Sequence, residues 1–345
     1  MDRGMRSKHV RVSVDLDCVR ANAERIRRET GVALIAVLKG DAYGLGARFV
    51  AATLRDIADE FAWFSLEEAR AAAHAAERPG LVLGPPDAPP EDYAALRLRP
   101  TLFTPEHAER YRGIDAALSI DTGMQRFGCT LDQAADLFRG ARITDLATHA
   151  ATPEGAARLL ASAEAIGARA AGRGPRLHAA SSSLLPHREA WLDAVRPGLA
   201  LYRGALRVST RLYSAREASG PIGYTGFSHP HVGIILAGYC NRLAPATVLI
   251  NGRRQRVLEV GMNSAFVSVD PADRAGDEVV LLGDGLAEAD LAADLGIREH
   301  EVLCRYGAIG PRSYMGEAAG PRAARLNRAA ARVTPLPAAV SSSRG

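Results

Sequence analysis

Any amine chemistry in this chain must rest on Lys39. The 345-residue sequence holds 43 basic residues, yet only two are lysines, Lys8 and Lys39. Every other cation is arginine, whose guanidinium keeps its proton and is a poor amine nucleophile. Lys39 ends the apolar run Val32-Ala33-Leu34-Ile35-Ala36-Val37-Leu38 and precedes Gly40-Asp41-Ala42-Tyr43-Gly44-Leu45-Gly46. A short apolar run rich in β-branched residues and closed by glycines reads as a buried strand opening into a tight loop. An amine among apolar walls or beside another cation loses its proton readily, and the free amine forms a Schiff base with a carbonyl. A plain surface lysine at the rim of a sheet is the competing reading.

Further groups fall at the ends of predicted strands: the loop 121–126 with Arg126, then His149, His178, the serine run 181–183 and Arg196. They act together only if the fold gathers them. The chain alternates short strands and helices from the start: a strand over residues 10–16, a helix over 17–28 with Val19, Ala23 and Ile26 on one face, then the lysine strand. Strands at 61–65, 81–84, 101–104, 116–120, 143–148 and 176–180 follow, each leading into a helical stretch, the last over 181–192. Ser65 and Glu68 have capping-box spacing, and Thr104 before Pro105 reads as an N-cap. Residues 195–202 close the series. This rhythm predicts a (β/α)8 barrel, a fold that collects its active site at the strand C-terminal ends. An open doubly wound sheet is the competitor, but no Gly-x-Gly-x-x-Gly follows a strand.

From residue 205 the texture becomes all-β, with Asn251-Gly252 marking a two-residue hairpin turn. The expected division is a barrel at 11–204, a C-terminal β-domain at 205–317 and a basic, disordered tail at 318–345, with residues 1–9 loose. The tail holds five arginines and no acid, so without them the net charge of +4 becomes −1. A near-neutral body does not suit nucleic-acid binding, and no apolar run of 18 residues suits a membrane span. Cys18, Cys129, Cys240 and Cys304 form no CxxC pair, which argues against a metal site and for a reducing, cytoplasmic setting.

The lysine loop resembles the Lys-x-x-Ala-Tyr-Gly-x-Gly attachment motif of alanine racemases, pyridoxal 5'-phosphate (PLP) enzymes of barrel fold. Asp121-Thr122-Gly123-Met124-Gln125-Arg126-Phe127-Gly128 is similar to that family's Asp-Thr-Gly-Met-x-Arg-x-Gly. Val195-Arg196-Pro197-Gly198-Leu199-Ala200-Leu201-Tyr202 matches its Val-Arg-Pro-Gly-Ile-Ala-Leu-Tyr. Thr148-His149-Ala150, Gly223-Tyr224-Thr225-Gly226, Ala237-Gly238-Tyr239, Val260-Gly261-Met262-Asn263 and Pro311-Arg312-Ser313-Tyr314 resemble further family segments, extending the likeness from residue 12 to 314.

The resemblance implies an isomerase that interconverts L- and D-amino acids, alanine or another small one, by a two-base mechanism in a homodimer. In it Lys39 binds PLP and is one base, and Tyr224, supplied across the dimer interface, is the other. Tyr43, Ser182, Gly198, Leu199 and Tyr314 hold the phosphate, Arg196 meets the ring nitrogen and His149 packs near the ring. Arg126 takes the substrate carboxylate, with Met262 and Tyr239 beside the substrate. Two bases on opposite faces of a planar intermediate suit racemisation. Ordinary lysine and tyrosine both titrate near pH 10, so the site must lower at least one of them. Ser119, Asn263, Leu45, Ser181 and the pair Cys240-Asn241 depart from the family pattern. These departures leave open a racemase-like enzyme of a specialised pathway acting on a modified amino acid. A PLP decarboxylase of the same fold would carry a glycine-rich phosphate loop and a Cys-Glu-Ser motif, which are missing from the sequence, and a non-enzymatic PLP carrier would be a lone barrel.

Overall fold

A computed structural model describes residues 9–168 and 174–316. The proposed tail at 318–345 and the segment 1–8 lie outside the described residues. Sixteen strands run through the described chain. They are β1 (Arg11–Asp15), β2 (Ala33–Val37), β3 (Glu60–Trp63), β4 (Gly80–Val82), β5 (Leu98–Leu102), β6 (Asp115–Ser119), β7 (Arg142–Ala147), β8 (Arg176–His178) and β9 (Ala194–Val195) in the first part. The second part holds β10 (Leu206–Glu217), β11 (His231–Ile235), β12 (Thr247–Ile250), β13 (Arg253–Val260), β14 (Ala265–Ser268), β15 (Glu278–Leu282) and β16 (Arg312–Met315).

Strands β2 to β9 close a parallel barrel in chain order, sealed by Ala33 against Ala194 and Leu34 against Val195. Its lumen packs Ile35, Val37, Ala62, Leu81, Ala117 and Ala194. Below them, Glu60 pairs with Arg99 and Arg176, and Asp145 pairs with the same two arginines and with His178. Glu60 on β3 reaches β5 and β8, and Arg99 on β5 reaches β7, so these pairs bridge strands that are not neighbours, while Asp145 holds Arg176 and His178 on the adjoining β8. The helices form as their caps dictate. Asp15 accepts the Cys18 N–H at 2.9 Å to start the helix Leu16–Thr30, which buries Leu16, Val19, Ala23 and Ile26 and ends on left-handed Gly31. Thr104 caps Pro105–Arg110, and Thr130 with Gln133 forms a full capping box on Leu131–Gly140.

Two sequence expectations are corrected here. The strand at residues 10–16 does not enter the barrel: β1 pairs antiparallel with β10 and parallel with β16, in the sheet of the second domain. Pairing over such separations leaves no local signal. The second domain is the expected β-domain, and the helices Glu288–Leu295 and Glu299–Gly307 pack beside its sheet. The helix expected over 181–192 is two short 3-10 turns, Ser182–Leu184 and Arg188–Ala190, since Pro186 between them cannot continue a helix. The Asn251-Gly252 turn is as read: Ile250 pairs with Arg253, and both turn residues have positive φ. Strand β10 pairs with β1 and β15 along its first half and with β11 along its second, so six strands of this sheet return on themselves.

Candidate active site

The residue after β2 and Leu38 is Lys39, and the backbone beyond it turns the uncommon way. Gly40, Asp41, Ala42 and Tyr43 all have φ between 54° and 63°, a left-handed turn that costs about 1–2 kcal/mol for each L-residue in it. Surrounding contacts hold it. The Asp41 carboxylate accepts the Ala47 N–H at 2.8 Å and pairs with Arg312 at 2.7 Å, and Arg312 also donates to the Gly44 carbonyl. Gly44 lies so close to the helix Glu299–Gly307 that an added Cβ would sit 3.1 Å from the Leu303 carbonyl oxygen. The second domain therefore braces the loop that carries the lysine.

Lys39, Arg126 and Arg196 converge at the barrel mouth, from the loops after β2, β6 and β9. Burial, then the Arg126 and Arg196 charges, push the Lys39 amine below its ordinary range, while Glu68 and Cys304 oppose them. The sequence requirement that one of the two bases be lowered is met at Lys39. Burial and the three cations Arg196, Arg126 and Lys39 hold His149 down to about 4, so it is neutral at pH 7. Arg196 is 8% exposed and donates through Nη2 to the Thr148 carbonyl. Its buried Nε has no hydrogen-bond partner among the described residues. Burial lowers its guanidinium to about 10, which leaves it charged at neutral pH. Behind it His178 is fully buried, 3.4 Å from the Asp145 carboxylate.

A cradle lies beside this group. A Cβ on Gly198 would fall 2.3 Å from the Tyr43 hydroxyl oxygen, so only glycine admits that phenol. The Ser182 hydroxyl accepts the N–H groups of Gly198 and Ala200, each at 3.0 Å, around Leu199 at the start of the short helix Leu199–Tyr202. With two donors filling its lone pairs, Ser182 has its own proton left to give. The serine run thus contributes a hydroxyl-and-backbone cluster at this edge of the barrel mouth. A buried guanidinium whose Nε has no partner, the close approach of Tyr43 to Gly198 and the Tyr43 and Ser182 hydroxyls fit a phosphorylated pyridine ring beside Lys39. Tyr314 comes from the last described strand, β16. Its ring stacks on Phe49 at 3.8 Å between centroids and its hydroxyl meets Gly46, because β16 enters the sheet beside β1 with Tyr314 opposite Val14. It packs against the segment that follows the lysine loop.

Tyr224, Tyr239 and Met262 form a separate group on the second domain. Tyr224 is 89% exposed, Tyr239 and Met262 each 55%. Their backbones are nonetheless fixed. Glu259 accepts the Tyr224 N–H at 2.8 Å, the Thr225 N–H at 2.9 Å and the Thr225 hydroxyl at 2.7 Å. Tyr239 and Cys240 donate to the Gly261 and Met262 carbonyls, across a contact so close that Gly238 leaves no room for a Cβ. An exposed phenol on a rigid platform is a group presented outward. Sequence reasoning passed over Glu259, Arg312 and the second use of Glu68, because their partners are remote in sequence or are backbone atoms. Only the acid at 68, three residues after Ser65, carried a local signal.

The comparisons agree with this geometry. Residues 14–205 match the model of the alanine racemase N-terminal domain and residues 217–314 that of the C-terminal domain. The biosynthetic alanine racemase of Pseudomonas aeruginosa is 31% identical over 355 residues, covering 88% of this chain and 98% of that one. The crystal structure of the biosynthetic alanine racemase from the same species superposes with a TM-score of 0.79 at 27% identity, over 90% of this chain and 100% of that one. The fold is also shared with the alanine racemase of Bartonella henselae, solved with covalently bound pyridoxal phosphate, at a TM-score of 0.79 and 22% identity over 89% and 99% of the chains. With both of its domains matched in order, this chain belongs to the alanine racemase family.

Proposed function

We propose that this chain is a PLP-dependent isomerase that interconverts the L- and D-forms of a small amino acid, with alanine as the first substrate to test. The observation that carries the reading is the desolvated Lys39 amine flanked by Arg126 and Arg196 beside the Tyr43–Gly198 cradle. Lys39 attaches the cofactor. Tyr43, Ser182, Gly198 and Leu199 hold its phosphate, the Arg196 guanidinium donates to its ring nitrogen, and neutral His149 packs against the ring. When bound, PLP withdraws electrons from the substrate Cα and so acidifies the bond to its hydrogen.

Arg126 takes the substrate carboxylate, and its charge also favours the free-amine form of Lys39. That amine moves a proton on one face of Cα. The phenol of Tyr224 moves a proton on the other, from a second copy of the chain whose Met262 backbone and Tyr239 close the site. The homodimer is supported by the exposure of Tyr224, Tyr239 and Met262 on a hydrogen-bonded platform. A cytoplasmic location belongs to the same reading, and the four unpaired cysteines suit it. No described helix is long and apolar enough to cross a membrane. Ser119 and Asn263 bear on which side chain is accepted.

The test is a panel of L-amino acids incubated with the holoenzyme in deuterated buffer and read by mass spectrometry and chiral chromatography. Deuterium at Cα of alanine together with D-alanine is expected. A panel in which no amino acid exchanges its α-hydrogen refutes the reading. Borohydride reduction should place the pyridoxyl mass on Lys39 and not on Lys8.

A further inference from the structure

Glu68 has the spacing of a capping-box acid, and half of that box forms: its N–H meets the Ser65 hydroxyl oxygen at 3.3 Å. The side chain goes elsewhere. One carboxylate oxygen accepts the Gly40 N–H at 3.1 Å and the other accepts the Phe64 N–H at 2.9 Å. Gly40 is the residue after Lys39 and the first of the left-handed turn. Phe64 follows the last residue of β3, the strand beside β2 in the barrel. One acid therefore bridges the start of the lysine loop to the neighbouring strand end, from the first turn of the helix Leu66–Ala76.

We propose that Glu68 is a positioning residue for the Lys39 amine, fixing the backbone next to it through a carboxylate bridge between Gly40 and Phe64. The inference rests on Lys39 being the reacting amine. The turn's own backbone bonds, from the Ala42 N–H to the Leu38 carbonyl at 2.7 Å and from the Gly44 N–H to the Gly40 carbonyl at 2.9 Å, leave the Gly40 N–H to the Glu68 carboxylate, and that bond ties down the peptide next to the Lys39 side chain. The bridge carries a charge as well. Facing the amine from the packed elements are the guanidinium groups of Arg126 and Arg196, the imidazoles of His149 and His300, the Cys304 thiol and the Glu68 carboxylate. Glu68 is the carboxylate in that set, and it favours the ammonium form that the arginines disfavour. Arg126 and Glu68 thus pull the amine in opposite directions, and the balance sets its supply of free base.

The PLP-free protein tests this directly, because Lys39 and Lys8 are the only lysines. Reductive methylation with formaldehyde and cyanoborohydride across pH, quantified on the two lysyl peptides, gives the Lys39 midpoint with Lys8 as reference in the same chain. E68Q removes the charge, and its midpoint is expected to fall by about one pH unit. In the holoenzyme, kcat is expected to fall about tenfold with KM changed less than twofold, since the acid touches no substrate. E68D keeps the charge but is too short to span both N–H groups: its Lys39 midpoint should match wild type, while amide exchange over residues 38–44 speeds severalfold. An E68Q midpoint equal to wild type overturns the proposal. If E68Q does not fold, E68D decides it, and unchanged exchange over 38–44 overturns it. Failure here is separate from failure of the racemase reading, because labelling and exchange need no cofactor, whereas absence of borohydride trapping at Lys39 would sink that reading alone.

Discussion

Replacing Gly198 by alanine probes the cradle with a single methyl group. The added Cβ would lie 2.3 Å from the Tyr43 hydroxyl oxygen and 2.7 Å from its Cζ, so the ring must retreat by about 1 Å to reach ordinary contact distance. Retreat is resisted, because the ring packs on Tyr202 at 5.2 Å between centroids, and Tyr202 is fully buried with its hydroxyl donating to the Val37 carbonyl at 2.6 Å. Gly198 has φ of −119°, outside the left-handed region that favours glycine, so the close contact is the effect the substitution probes. Overpacking of this kind costs about 1–3 kcal/mol. If the displaced hydroxyl is a phosphate contact, that cost appears as a roughly 5- to 150-fold weaker PLP affinity, at about 1.4 kcal/mol per tenfold. The assay is absorbance titration of the PLP-free variant, with Gly113→Ala, whose Cβ meets nothing within 4 Å, as the control. A G198A protein that binds PLP as tightly as wild type would refute the placement of Tyr43 in the cradle.

Tyr224→Phe should lower racemisation at least 100-fold while borohydride still traps PLP on Lys39, as measured by chiral chromatography and peptide mass. Glu259→Ala removes the acceptor for two N–H groups and a hydroxyl around Tyr224, and a fall in kcat of about tenfold with unchanged PLP affinity is expected. The low Lys39 pKa means that PLP attachment to the PLP-free enzyme should persist at pH values where an exposed lysine, with its amine near 10.5, barely reacts; stopped-flow absorbance across pH checks this. Burial holds His149 and His178 near 4 in the folded chain against an ordinary 6.5, so the unfolded chain binds protons first on acidification. Stability should be fully present above about pH 6.5 and decline toward pH 4, and His178→Asn should flatten that decline in urea titrations, whatever it does to the level.

The barrel was legible because its strands are local apolar runs and its helices carry caps at fixed offsets, as Thr104 and Thr130 show. Strand β1 was misassigned because nothing near residue 12 records that its neighbours are residues 208 and 312. Lys39 stood out by type alone, in a chain otherwise built on arginine. The left-handed turn after it did not, since Asp41, Ala42 and Tyr43 have no preference for positive φ and are held there by Arg312, Ala47 and Glu68. Tyr314 stood out by its motif, whereas its stacking on Phe49 and its approach to Gly46 follow from the strand that delivers it.

Because β1 and β16 lie side by side and parallel, with β1 between β10 and β16, the barrel is an insertion within the second sheet rather than a module preceding it. During synthesis the barrel strands can assemble as they leave the ribosome, whereas β1 must wait, unpaired, for partners about 200 and 300 residues downstream. An expressed fragment beginning at β10 would lack the strand between β10 and β16 and leave the latter without a neighbour. The last of the described strands is thus also the one whose arginine clamps the lysine loop, so a chain cut before it would have the barrel without a set lysine loop.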